Sequence, residues 1–315
     1  MSETGPRPTY GDVTAEYRAL VEGCAAIEGS RHLVWVRGSD AVAFLDGQVS
    51  QDIAGMEPGA VARSFLLEPR GKIVALMWVL RGESEVGLVI DAGRSAAVVD
   101  ALDRFRFRVN ATLEAPLPLV ELWGPETDAA LDRLGYGSVV GWSRVDDGTV
   151  ARLPARWPVA ALSAIDSAML DAAGVVRAGL IAATTVRIEA GEPVSGVDID
   201  ETTIPQETGL VDEAVSFTKG CFLGQELVAR IDSRGRVNRH LRGIVMTENL
   251  IPPVGATVEH EGVDVGRLTS VGESLRVGAP IAMALVRREV DPEAPVRVSW
   301  DGGSAGAVVR SLPLA

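Results

Sequence analysis

From residue 240 to the C-terminus the chain holds only short strand-like runs: LRGIVM, ATVEH, VGRLTSVG, PIAMALV, PVRVSW and GAVVRSL. They are evenly spaced and separated by Gly and Pro, a pattern that predicts a small all-β sandwich or barrel. Upstream the apolar period is mixed. Residues 33–114 read as β-α-β-β-β-α-β, which predicts an α+β module resembling a split βαβ sheet. LPLVELWG, PETDAALDRLG, GTVARLP, WPVAAL and SAIDSAMLDAAG suggest a second unit of the same kind, with no letter-by-letter repeat. VTAEYRALVEGCAAIEG reads as a first helix ending near Gly29, and AGLIAATTVRIEAGEP as a later one stopped by Gly191 and Pro193. The expected division is a tail and helix over 1–29, a bilobal α+β module over 30–239 and a β domain over 240–315.

Composition narrows the function class. The net charge of −13 argues against broad nucleic-acid binding, which needs a large basic surface. A local basic stretch runs through Arg230, Arg234, Arg236, Arg239, His240 and Arg242 and suits a small anion or a solvated edge. No apolar run approaches a membrane span, and the first residues lack a basic region and an apolar signal core. Two distant cysteines, Cys24 and Cys221, form no disulfide framework. A reducing cytoplasm is the expected location. The three histidines lack metal-ligand spacing and no C-x-x-C pair occurs, so no metal site is expected.

KGCFLGQE, residues 219–226, carries the chemistry. Lys219 stands two residues before Cys221, so an extended backbone would set both side chains on one face. Leu223, Leu227 and Ile231 then recur at helical spacing, which places Cys221 at or just before a helix N-terminus. An ammonium and a helix N-terminus both favour thiolate, so Cys221 and Lys219 are the candidate working pair. Gly220 and Gly224 would leave backbone open to a ligand. The alternative is a packed cysteine in an ordinary turn.

KGCFLGQELVAR also resembles the signature of the YgfZ family, folate-binding proteins of iron–sulfur metabolism. That family is a branch of the aminomethyltransferase (glycine-cleavage T-protein) fold. VRGSDAVAFLDGQVSQDI, RIEAGEPVSGVDID and IPQETGL match in the family's order. The resemblance implies two α+β lobes and a small C-terminal β-barrel around a tetrahydrofolate pocket. It carries the pterin-anchoring carboxylate onto Glu189, which also lies near a helix C-terminus where the macrodipole disfavours an anion. A carboxylate can accept the two adjacent N–H donors of a pterin edge. Arg230, then Arg239, are candidates for the folate tail. Gln48, Ser50 and Asp52 resemble a pocket-lining turn, and Gln225 and Glu226 fall within the signature. One departure stands out: Ala75 and Leu76 occupy the place of the T-protein's acidic pair, and neither can orient an amine or relay a proton. The implied function is a tetrahydrofolate-binding accessory protein that supports assembly or repair of Fe–S client proteins through Cys221. The alternative is a tetrahydrofolate-dependent one-carbon transferase or demethylase.

Overall fold

The computed structural model describes residues 6–235 and 237–315. Helix α1 (Val13–Glu22) is capped by Asp12, whose carboxylate accepts from the Ala15 amide at 3.0 Å. It ends at Gly23, earlier than the helical period suggested. Ala25, Ala26 and Ile27 are buried in the next element instead, because their apolar side chains belong to a sheet core. The expected boundary at residue 29 therefore falls inside β1 (Ala25–Arg37).

The first lobe continues with α2 (Ala41–Gln48), β2 (Val61–Leu67), β3 (Ile73–Arg81), β4 (Glu85–Asp91), α3 (Ser95–Asp103) and β5 (Thr112–Leu113). The second repeats this plan with β6 (Leu117–Trp123), α4 (Thr127–Arg133), β7 (Trp142–Val145), β8 (Gly148–Leu153), β9 (Val159–Leu162), α5 (Ser167–Ala172) and β10 (Val176–Arg177). The duplicated β-α-β-β-β-α-β order is thus present in both halves. The lobes share one curled sheet, in the order β2-β3-β4-β1-β6-β9-β8-β7. Strand β1 pairs antiparallel with β4 from Arg31 to Arg37 and with β6 from Ala25 to Leu33, the latter with a register shift between Glu28 and His32.

Side chains of β1 alternate between two cores. Leu33 and Trp35 face α1 and α6 (Leu180–Ala190), whereas Val34 and Val36 pack under α2 and α3. Helices α4 and α5 cover the matching outer face of the second lobe through Leu131 and Leu170. Short helices α7 (Pro205–Thr208) and α8 (Val211–Ala214) and then α9 (Gln225–Arg234) lead to the C-terminal domain.

That domain is a closed barrel of β11 (Arg239–Met246), β12 (Thr257–His260), β13 (Val263–Ser274), β14 (Ala279–Arg287), β15 (Pro295–Trp300) and β16 (Gly303–Arg310), in the order β11-β14-β13-β12-β15-β16. Closure removes the open edges that short strands would otherwise expose. The fold is α+β with a small C-terminal barrel, as expected. Among the described residues, no helix is long and apolar enough to cross a membrane.

Candidate functional site

Helix α6 separates two polar regions. Leu180, Ala183, Thr184 and Arg187 recur at i, i+3, i+4 and i+7, so they share one face. That face lines a cavity of about 540 Å³ closed on its other walls by Ile27, Arg31, Asp91, Glu121 and Trp123. The volume suits a small organic ligand. Its charges are internally matched. Arg31 pairs with Asp91 and Glu121, Ser30 donates to Glu121, and Trp123 Nε1 donates to Glu121 at 3.3 Å. Arg187 is buried here. It donates to Asp198 at 2.6 Å and Ser270 at 2.5 Å, because an interior guanidinium needs a carboxylate partner.

Glu189 comes two residues after Arg187, roughly 200° around the helix. It is not among the cavity's lining residues. Its side chain is 1% exposed, and Oε1 accepts from Tyr17 at 2.6 Å and Ser274 at 2.5 Å. Oε2 has no hydrogen bond.

Two further polar groupings stand out, one around Arg63 and one around Arg276 and Trp157. Arg63, in β2, is 1% exposed and pairs with Glu192 and, at 2.7 Å, with Glu213. The Arg156 amide donates to Glu192, and its guanidinium reaches Glu213 at 2.9 Å. Trp78 lies beside the guanidiniums of Arg31 and Arg63, whose Cζ atoms are 4.3 and 5.2 Å from its ring centroid. Trp157 carries Arg276 at 5.4 Å, and Arg276 reaches Glu189 Oε2 at 3.5 Å. Among the described residues, the buried side-chain atoms with no hydrogen-bond partner include Arg63 Nε, Trp78 Nε1, Trp157 Nε1 and Glu189 Oε2. Buried polar groups are otherwise almost always satisfied, so these three donors and one acceptor are candidates for contact with a ligand.

Burial first, and then the bond to Glu189, push the Tyr17 phenol above its ordinary 10.0. The sign of the pH effect follows. The unfolded phenol ionises near that value while the folded one keeps its proton, so the stabilisation is complete below it and is lost as pH rises through the folded value. Tyr10 is also raised, to about 12, so the native chain alone does not isolate the effect. Tyr17→Phe should weaken the alkaline loss of stability measured by urea unfolding on either side of pH 10.0. An identical pH slope in the variant would remove this role.

Cys221 is exposed, and Cys24 is buried, with burial pushing its thiol to about 11. Cys221 precedes α9 by a short turn, as expected. Lys219, the expected activator of the thiol, is bonded to another element. Its ammonium donates to the carbonyls of Asp46, Val49 and Gln51 at 2.5, 3.1 and 2.7 Å and to the Asp46 carboxylate at 3.1 Å. These oxygens lie at the C-terminal end of α2 and just beyond it, where carbonyls lack helical partners, so Lys219 acts as a cap. The glycine reading also changes. Gly224 has φ 80°, and a Cβ there would meet Glu68 O at 2.6 Å, so it serves packing against the β2–β3 turn. A Cβ at Gly220 would meet nothing within 4 Å.

The remaining candidates divide. Ser50 is fully buried; it donates to Ala214 O at 2.6 Å and accepts from the Phe65 amide at 2.8 Å. Asp52 accepts from the Gly55 amide at 2.8 Å, which closes a turn. Gln48 Oε1 is buried without a hydrogen bond near the same corner. Gln225 accepts from the Phe222 amide at 3.1 Å, and Glu226 is exposed in the first turn of α9. Arg230 is exposed on α9. Arg239 forks onto Glu207 at 2.8 and 3.0 Å, a bond that raises its pKa. Arg236 lies outside the described residues. Sequence reasoning missed Arg63, Trp78, Trp157 and Arg276. The available signal was Arg63 itself, a charge among the apolar residues of VARSFLLE.

The profile of the glycine cleavage T-protein C-terminal barrel domain matches residues 239–315. An aminomethyltransferase of Moorella thermoacetica is 30% identical, over 96% of this chain and 90% of the relative. One from Thermus thermophilus is 32% identical, over 88% and 83%. The chain belongs to the aminomethyltransferase family. A crystal structure of the glycine cleavage system aminomethyltransferase T from Bartonella henselae superposes with a TM-score of 0.87, covering 96% of this chain and 89% of that one. At 24% identity it speaks for the fold. Ala75 and Leu76 are both buried and carry apolar side chains. Ala75 is 0% exposed under α2 and α3, and Leu76 is 3% exposed against Ile199 and Leu210.

Proposed function

We propose that this aminomethyltransferase-family chain binds a tetrahydrofolate at the Glu189 network and acts as an accessory protein for Fe–S enzymes, with Cys221 as its working thiol. The observation that carries the reading is the apolar burial of Ala75 and Leu76, which leaves no carboxylate at the transfer position, while Cys221 stands exposed. The network suits the ligand: Glu189 Oε2 can accept the donor edge of a pterin, and Trp157 Nε1 can donate to a neighbouring carbonyl. Arg63 would supply a cationic surrounding. Tetrahydrofolate, when bound, supplies a carrier for one-carbon units.

The second reading is a tetrahydrofolate-dependent one-carbon transferase. The curated relatives favour it as a general kind more than they favour the Fe–S role. One assay separates the two. The protein is titrated calorimetrically with tetrahydrofolate and then incubated with dimethylglycine or an aminomethyl-lipoyl protein. Binding without methylene-tetrahydrofolate is expected; its formation would establish the transferase reading instead. Glu189→Gln should weaken tetrahydrofolate by roughly 1–3 kcal/mol, because an acceptor becomes a donor facing N–H groups. Unchanged affinity would remove Glu189 as the anchor.

A further inference from the structure

Glu189 and Arg276 are held very differently. Glu189 sits on a buried helix with one oxygen fixed by two O–H donors. Arg276 stands in the turn between β13 and β14, its side chain 38% exposed. Its Nη1 lies 3.5 Å from Oε2, too far for a well-formed charge-assisted hydrogen bond, and Oε2 has no hydrogen bond. Its guanidinium also lies 5.4 Å from the ring centroid of Trp157, whose Nε1 is itself without a hydrogen bond. A half-exposed arginine in such an arrangement is cheap to move. The carboxylate beneath it is not.

We propose that Arg276 is a displaceable cover that sets the specificity of the Glu189 site. It neutralises Oε2 until a ligand presents two adjacent N–H donors, as a cyclic 2-amino lactam does, and then swings outward. The same ligand edge carries a carbonyl, for which Trp157 Nε1 is the available donor. Molecules with a single N–H gain too little at Oε2 to replace the guanidinium, so the cover discriminates between ligand classes. This inference rests on the folate reading of Glu189 and adds the residue that gates it.

The test uses 6-methyltetrahydropterin, which has the donor edge and lacks the anionic tail that could pair with other arginines. Arg276→Met keeps an apolar stem beside Trp157 and removes the charge. With the competitor gone, affinity and association rate should rise on the order of three- to tenfold, because a binding-competent state that was partly populated becomes dominant. Arg276→Lys restores a cation and should return both towards the native values. Circular dichroism confirms that each variant is folded. Equal or weaker pterin binding by Arg276→Met would overturn the proposal, even if the native chain binds well. If neither form binds the pterin or tetrahydrofolate, the folate reading of Glu189 falls and the cover falls with it.

Discussion

Lys219→Ala should destabilise the fold by about 3 kcal/mol, the scale expected when one partner of a buried charged cluster is removed. The side chain is 1% exposed, and burial lowers its pKa while Asp46 opposes that shift. Four oxygens from residues 46–51 converge on one ammonium. Alanine leaves three backbone carbonyls and a carboxylate without that donor, and each buried loss is costly. The Cys221 loop is tied to the same corner, since the Leu223 amide donates to Gly47 O at 3.2 Å. The variant should therefore loosen the loop, and native-state alkylation of Cys221 should be at least as fast as in the parent. Urea unfolding measures the first effect and iodoacetamide kinetics the second. Unaltered stability with slower alkylation would instead restore Lys219 as the thiol's activator.

The sequence carried the fold further than it carried the site. The change to short strands after residue 240 is a local signal, and the barrel begins at Arg239. The duplicated lobe plan was likewise legible from the order of periods. The apolar run Cys24–Ile27 suits a helix and a buried strand equally, so the period alone does not mark the end of α1 at Glu22. The site depends on phase and on long-range contacts. Arg187 and Glu189 are neighbours in sequence yet face opposite sides of α6, and only the packing of Tyr17, Ser274 and Arg276 shows which side each meets. The Arg63–Glu192 pair joins residues far apart in the chain, beyond the reach of local spacing. The partners of Lys219 likewise belong to another element, α2 and the turn after it.

Cys221→Ser should abolish support of Fe–S enzymes in cells that lack the native protein, while changing stability by no more than about 0.5 kcal/mol. The side chain is exposed, so exchanging sulfur for oxygen opens no cavity and buries no unsatisfied hydroxyl. Tetrahydrofolate affinity should also hold, because among the described residues the partners of Glu189 are Tyr17, Ser274 and Arg276. Only thiol chemistry is removed, since serine is neither a comparable nucleophile nor a redox group. Native-state labelling supplies the internal check. Cys24 is buried and its thiol is pushed to about 11, so rapid labelling reports Cys221 and should vanish in the variant. Full Fe–S enzyme activity with Cys221→Ser would remove the thiol from the mechanism and leave folate binding as the function to explain. Loss of that activity with intact folding and folate binding would place the work at the opening of α9, where the exposed sulfur of KGCFLGQE is presented by a loop that Lys219 anchors from below.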